Sequence, residues 1–217
     1  MPLELLRVNV LAFVLFAIAI IEAIALHEYA HALAADLQGD RMPRAFGRLT
    51  LNPAKHLDPL GTILIFIVGF GWGKPVEFRP QALASKRFGA AIVALAGPMM
   101  NLLLAVVAAF VLVPLVNAGK TGFTVSFLLV FFEINLLLAV FNLLPIPPLD
   151  GSRLLTIFLP PSKQKIIFFL DRYGIIILLA VVLFGRESIF EPVLAAVESW
   201  VLRLAGGDQL VDILTSR

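Results

Sequence analysis

The chain has 217 residues, of which 60% are hydrophobic and 15% are charged, and its mean hydropathy is +0.96. A soluble domain of this length cannot bury so much apolar surface in one core, so the composition predicts a protein of the lipid bilayer. The net charge of +2 is small and spread between apolar stretches, which argues against a nucleic-acid partner. Because the chain has no cysteine, any metal must be held by His, Asp or Glu.

The first predicted element is a long helix over residues 8–37, ended by Gly39 and Asp40. It exceeds the roughly 20 apolar residues that a membrane-spanning helix needs. Arg7 before the helix and small residues late in it also fit a signal peptide, but the apolar run over 8–26 is longer than a usual signal core. We therefore interpret the segment as the first membrane-spanning helix.

Two polar connections, at residues 41–55 and 74–88, enclose a short apolar stretch. Both connections are basic and contain proline, which is typical of segments at a membrane surface. Residues 60–71 between them are apolar and β-branched but too short to cross a bilayer. We expect a re-entrant or β-hairpin element near 60–79 that lines a cavity.

Three further stretches, at residues 89–117, 123–144 and 166–184, reach spanning length. The tail over 185–217 has an amphipathic pattern that fits an interfacial helix, with a poorly ordered end as the alternative. The sequence thus predicts an all-α polytopic membrane protein with about four to six transmembrane segments. No repeat or linker divides it, so we expect a single membrane-embedded domain over residues 1–217.

The distribution of basic residues predicts the orientation. They cluster in 41–55, 74–87 and 153–172, whereas the 117–123 turn has only Lys120. The positive-inside rule puts such basic connections in the cytoplasm. We expect the N-terminus outside and the histidines of the first helix in its cytoplasmic half.

The strongest chemical signal is the sequence HEYAH at residues 27–31. On a helix, His27 and His31 lie on one face about a turn apart, so both imidazoles can reach one metal ion, and Glu28 projects beside them. The arrangement suits a zinc ion that acidifies water while Glu28 takes its proton and returns it to the leaving amine. A chance match is the alternative, but ionisable groups inside an apolar helix are costly without a function.

A catalytic zinc site needs a third protein ligand and an open position. His56, the one remaining histidine, lies in the basic connection. Asp150 is the better candidate, since it follows a proline-broken helix end and precedes Gly151, which permits a tight turn. The alternative for Asp150 is an ordinary helix N-cap before Ser152.

Several motifs together resemble the site-2 protease family of intramembrane metalloproteases. The match covers roughly residues 20–155 and is similar to the small bacterial and archaeal members, since no PDZ-like insertion separates its two zinc motifs. The stretches that carry the resemblance are HEYAH, NPAKHLDPLG, GWGKPV, AGPMMN and NLLPIPPLDG.

The resemblance implies that His27, His31 and Asp150 bind one Zn²⁺ per chain and that Glu28 is the catalytic carboxylate. Asn142 fits the family's second motif and is a candidate to hold the substrate backbone or the oxyanion. The alternative is that Asn142 only satisfies a carbonyl of a broken helix.

Other polar residues have more modest interpretations. We expect His56 and Asp58 to shape the cytoplasmic side of the cavity and Asn101 to close helices against each other. Glu22 and Glu133 are expected to hydrogen-bond across the bundle, with a water path to zinc as the alternative.

The expected function is an intramembrane zinc metalloprotease of the bacterial or archaeal cytoplasmic membrane, acting on single-span membrane proteins. Its cavity must be hydrated and open to the cytoplasm, and a substrate helix must unwind before it can be cut. An exposed edge over 74–79 is expected to pair with the unwound segment. The alternative is a membrane zinc carrier or sensor, which would not need Glu28.

Overall fold

The computed structural model describes residues 2, 7–69, 71–158 and 164–215. Within these ranges the chain is helical and forms no β-strand, so the predicted all-α class is confirmed. The helices are α1 (Val10–Leu37), α2 (Met42–Ala45), α3 (Pro59–Val68), α4 (Lys86–Asn117), α5 (Phe123–Asn142), α6 (Ser152–Phe158), α7 (Gln164–Phe184), α8 (Glu191–Leu204) and α9 (Asp208–Thr215).

Three helices in the described ranges are long and apolar enough to cross a membrane. They are Val10–Leu37, Phe88–Asn117 within α4, and Phe123–Asn142. Helix α7 coincides with the fourth stretch that the sequence marks as apolar and has 21 residues. Many of its large hydrophobic side chains are exposed, as expected of a helix surrounded by lipid.

The short apolar stretch after residue 58 forms a helix and not a β-hairpin. Asp58 caps α3, since its Oδ1 accepts from the N–H of Gly61 at 2.8 Å, and Pro59 occupies the first turn. Gly69 ends the helix with φ 83°, a conformation that favours glycine. A single antiparallel bridge between Leu57 and Gly73 brings the ends together, so the stretch returns on itself as a re-entrant element would.

Helices α1, α4 and α5 pack against one another and form the framework of the site. Alanines such as Ala19 and Ala23 of α1 are fully buried, and such small side chains allow close approach of helices in a membrane. The C-terminal helices add to this core, because Val201 and Leu202 of α8 are fully buried in one cluster with α4 and α5 side chains.

Candidate metal centre

The two histidines of HEYAH meet on the buried face of α1. Their Nε2 atoms are 3.0 Å apart, and the rings stand nearly perpendicular, with centroids 4.6 Å apart. Each residue is 7% exposed. The four-residue spacing therefore produces the shared face that the sequence predicts.

Asp150 reaches this pair from a tight turn that follows α5. Its Oδ2 lies 3.1 Å from His27 Nε2 and 3.3 Å from His31 Nε2. Gly151 fixes the turn, since its N–H donates to the Asn142 carbonyl at 2.7 Å, and a Cβ at this position would lie 2.2 Å from the Leu143 carbonyl oxygen. Only a residue without a side chain permits this return.

These three residues form the one group of at least three His, Cys, Asp or Glu residues suited to a metal within the described ranges. His56 is not part of it. Its ring is fully buried, and Nε2 donates to the Thr50 carbonyl at 2.7 Å. Burial lowers the pKa of His56, which favours the neutral ring.

The Nδ1 atom of each histidine has its own acceptor. His27 Nδ1 donates to Asn101 Oδ1 at 2.6 Å, and His31 Nδ1 donates to the Val93 carbonyl at 2.7 Å. In the neutral rings this sets the proton on Nδ1 and leaves both Nε2 atoms as bare acceptors. Two imidazole nitrogens and a carboxylate oxygen then face one another, an arrangement that suits a shared metal cation.

The separations fit one zinc ion. Tetrahedral zinc bound at about 2.0–2.1 Å places neighbouring ligand atoms about 3.3 Å apart, close to the 3.0, 3.1 and 3.3 Å found here. Gly97 of α4 keeps this space open, because a Cβ there would lie 2.4 Å from His31 Nε2 and 2.6 Å from His27 Nε2.

Behind His27, two fully buried asparagines form a chain of amide hydrogen bonds. Asn101 Nδ2 donates to the Ala23 carbonyl at 3.1 Å and to Asn135 Oδ1 at 2.9 Å. Asn135 in turn donates to the Phe131 carbonyl at 2.9 Å. Asn101 does join helices, as the sequence indicates, but sequence reasoning missed its direct contact with His27.

Glu28 is largely buried beside the pair. Its Oε2 accepts no hydrogen bond from the described residues, and the nearest cation is Arg48, whose Nη2 is 3.8 Å away. Gly73 passes close by, since a Cβ there would come within 3.3 Å of Glu28 Oε1. The backbone at Gly73 thus encloses the carboxylate on the side of Oε1, and Oε2 remains available to accept a hydrogen bond.

Asn142 lies at the end of α5, and its side-chain N–H donates to the Leu138 carbonyl at 3.0 Å. This is the local bond of the structural alternative, and its catalytic role stays a prediction. Asp58 caps α3 outside the metal group. Glu22 and Glu133 are exposed on α1 and α5.

A second charged group, here called the arginine–aspartate cluster, lies at the C-terminal end of α1. Asp36 accepts from Arg41 at 2.8 Å and from Arg44 at 2.7 Å. Asp40 accepts from the guanidinium of Arg79 at 3.0 Å and also from the Arg79 backbone N–H. These pairs join three segments at one end of the bundle.

The fold and the site define a membrane metalloprotease whose His–His–Asp centre fits one zinc ion. The sequence model of peptidase family M50 matches residues 15–120 and 116–183. The chain belongs to this family, the site-2 proteases, which confirms the resemblance found in the motifs.

Relatives in bacteria agree with this assignment. The Bacillus subtilis protein named "Putative zinc metalloprotease YwhC" is 36% identical over 206 residues, which cover 92% of this chain and 90% of that relative. "Putative zinc metalloprotease Rip2" of Mycolicibacterium smegmatis is 31% identical over 179 residues, 79% of this chain and 67% of the relative. No solved structure matches the chain.

Proposed function

We propose that this chain is a zinc endopeptidase that hydrolyses peptide bonds within or near the transmembrane helices of single-span membrane proteins. His27, His31 and Asp150 are the zinc ligands, and Glu28 is the catalytic carboxylate. The proposal is carried by one observation: three potential ligand atoms converge among apolar helices, and a carboxylate oxygen with no hydrogen-bond partner among the described residues lies next to them along α1.

A bound zinc ion would supply a Lewis acid that acidifies water and polarises the scissile carbonyl. The protein supplies the proton transfers. Glu28 adjoins His27 in sequence, and its Oε2 accepts no hydrogen bond from the part of the chain that the structure describes, so it can accept the proton of the attacking water and deliver it to the leaving amine. Asn142 is a candidate donor to the developing oxyanion, if its side chain leaves the Leu138 carbonyl.

The location of the centre supports a membrane substrate. Both histidines are buried in a helix that is long and apolar enough to span a bilayer. A substrate helix must expose its backbone to be cut, because its carbonyls are otherwise hydrogen-bonded within the helix. Within the described ranges, the chain over 73–79 has no sheet partner beyond the bridge at Gly73, and we propose that it pairs with the unwound segment.

We further propose that the site opens toward the cytoplasm of the cytoplasmic membrane. The basic connections around Arg41 and Lys74 support this orientation through the positive-inside rule. Tags inserted in 41–55 should report the cytoplasm and tags in 117–123 the other side, and the reverse result would refute the orientation.

The test of function is the Glu28→Gln variant. Glutamine keeps the size of the side chain but cannot take a proton from water, so cleavage of a single-span substrate in liposomes should fall by about 10²–10⁴. Zinc content should not change, because Glu28 is not a ligand in an H-E-x-x-H site. The matched control is Glu22→Gln, which alters an exposed carboxylate of the same helix and should cleave at the native rate.

Native cleavage by Glu28→Gln with zinc in place would refute the mechanism. If the native protein cuts no single-span substrate and instead moves zinc across the bilayer, a carrier with the same ligands is the correct description.

A further inference from the structure

Arg48 is a buried cation in the connection over 41–55, and the other two arginines of that connection, Arg41 and Arg44, are exposed. The residue is 6% exposed, whereas the side chains of Arg41 and Arg44 are 65% and 58% exposed. Burying a guanidinium is costly unless a carboxylate and hydrogen bonds compensate for lost water. The position of Arg48 therefore needs a reason that the positive-inside pattern does not give.

Two backbone carbonyls fix this guanidinium in place. Its Nη1 donates to the Lys55 carbonyl at 2.6 Å, and its Nη2 donates to the Lys74 carbonyl. Lys55 lies in the connection after α2. Lys74 follows Gly73 at the start of residues 74–79, here called the extended segment. Arg48 thus joins two separate parts of the chain around its own charge.

The fixed charge faces Glu28. Arg48 Nη2 is 3.8 Å from Glu28 Oε2, and both side chains are largely buried, at 8% and 12% exposure. Neither Glu28 Oε2 nor Arg48 Nε has a hydrogen-bond partner among the described residues. Glu28 is the carboxylate closest to the Arg48 guanidinium among the described residues, and Glu77 is a more distant one.

We propose that Arg48 is the positioning residue of Glu28. Its guanidinium, anchored on the Lys55 and Lys74 carbonyls, holds the Glu28 carboxylate in one place beside the histidine pair. The same anchor couples that place to the start of the extended segment at Lys74. This inference rests on the proposed function, since it assigns to Arg48 a role in the step that Glu28 performs.

The expected effect separates positioning from substrate binding. Removing a residue that orients a catalytic group lowers activity by about 10–100-fold. The loss should fall on kcat with KM little changed, because the Glu28 contact matters during proton transfer and not in the initial binding of substrate. Lysine keeps the charge but cannot donate to the Lys55 and Lys74 carbonyls from two separate nitrogens. Arg48→Lys should therefore recover only part of the activity that Arg48→Met loses.

The experiment measures zinc content, kcat and KM of the full-length protein in liposomes for Arg48→Met and Arg48→Lys. Arg41→Gln is the control, since it removes a charge from the same connection at an exposed position. Glu28→Gln runs in parallel. The proposed function is supported only if the native protein cleaves and Glu28→Gln does not. This comparison shows a failure of the function separately from a failure of the Arg48 proposal.

A second readout does not depend on activity. The thermal unfolding midpoints of native protein, Arg48→Met, Glu28→Gln and the double variant form a cycle. Arg48→Met should lower the midpoint more when Glu28 is present than when position 28 is glutamine, because only the carboxylate is left as an unpaired buried charge.

A lowered kcat, partial recovery by lysine, retained zinc and a coupled cycle support the proposal. Native kcat in Arg48→Met refutes it. A raised KM with unchanged kcat also refutes it and assigns Arg48 to the extended segment instead. Loss of zinc or of the folded protein in both variants, or additive unfolding effects, refutes it in favour of a purely structural role.

Discussion

The metal centre and the arginine–aspartate cluster each include residues of the C-terminal half of α1, but their charges are balanced in different ways. In the cluster, each carboxylate of Asp36 and Asp40 accepts from arginines that are themselves more than half exposed. In the metal centre, Asp150 lies within 3.3 Å of the Nε2 atoms of two imidazoles, whose Nδ1 atoms already have acceptors of their own. One group is complete without a ligand and the other is not.

This difference shows how a working site can be recognised in a helical membrane bundle. The presence of charged residues does not by itself distinguish the two groups, since both combine ionisable side chains of an apolar helix with side chains from other segments. The distinction comes from the outer partners: Asn101 and Val93 take up the imidazole protons and thereby leave acceptors facing acceptors. The arginine–aspartate cluster has donors and acceptors in matched pairs.

The largest expected effect comes from removing a proposed ligand. His27→Ala, His31→Ala and Asp150→Ala should each reduce zinc from about one per chain to a small fraction, because the site loses one of its three protein ligands. Metal analysis of purified protein measures this directly. Cleavage should be lost with the metal.

His56→Ala is the matched control, since His56 is buried but stands outside the metal group. It should retain zinc. Full zinc in Asp150→Ala, or loss of zinc in His56→Ala, would mean that the third ligand is wrongly assigned and that the comparison of clusters fails at its first point.

A smaller effect is expected when only the outer partner of His27 is removed. Asn101→Leu takes away the acceptor of His27 Nδ1 and breaks the amide chain to Asn135. The imidazole can then turn or change tautomer, so zinc affinity should fall by about 10–100-fold. Competition with a chelator measures the affinity.

Asn117→Ala provides the comparison on the same helix. Asn117 is exposed, and its amide makes only a 3.4 Å contact with the Gly206 carbonyl. Its substitution should leave zinc affinity unchanged. Equal affinity in Asn101→Leu and native protein would show that the orientation of His27 does not depend on the buried amides.

The local part of the site could be predicted from sequence. The spacing of His27 and His31 fixes a shared helix face, and the prolines before Asp150 together with Gly151 indicate a turn that carries a ligand. The structure has the shared face and the turn, because each depends on a few neighbouring residues, and the ligand roles stay predictions. The motif resemblance added the pairing of two segments that lie more than 100 residues apart in the sequence.

The contacts across the bundle could not be predicted in this way. Asn101 contacts His27 because α1 and α4 pack closely at Ala23. Arg48 approaches Glu28 because the connection over 41–55 returns to the side of α1 that carries Glu28. Neither contact has a periodic or spacing signal. The one indication in the sequence is Asn101, a polar residue between apolar ones. It indicates that a polar partner exists but does not identify that partner.

The stretch after Asp58 shows a different limit. Its β-branched composition fits strand and helix alike over so few residues, and periodicity does not separate them. Asp58 and Pro59 decide the outcome, since together they start a helix at the first turn. Capping residues were the stronger signal here than composition.

The smallest effect belongs to the arginine–aspartate cluster, and it concerns stability and not zinc. Burial disfavours the charge of Asp40, but the hydrogen bonds from Arg79 and from the Met42 N–H outweigh it and hold the pKa of Asp40 below its usual value. Asp40→Asn replaces this charge with a neutral amide, whose oxygen can still accept a hydrogen bond but has no ionic attraction to the Arg79 guanidinium. It should reduce the free energy of unfolding at pH 7 by about 1–3 kcal/mol, with zinc content and kcat unchanged.

The pH dependence gives the sign. Because the folded pKa is depressed, the carboxylate stabilises the protein above the unfolded value of about 3.9 and loses that contribution as pH falls through the folded pKa. The difference in thermal stability between native protein and Asp40→Asn should therefore be constant from pH 7 to about pH 5 and shrink in more acidic buffer. Asp208→Asn, which changes an exposed aspartate 3.9 Å from Arg203, should have little effect at either pH. If the stability difference between native protein and Asp40→Asn instead grows on acidification, the charge of Asp40 is not what stabilises the cluster. The contrast with the metal centre, in which the cluster's charges are balanced without a ligand, would then fail.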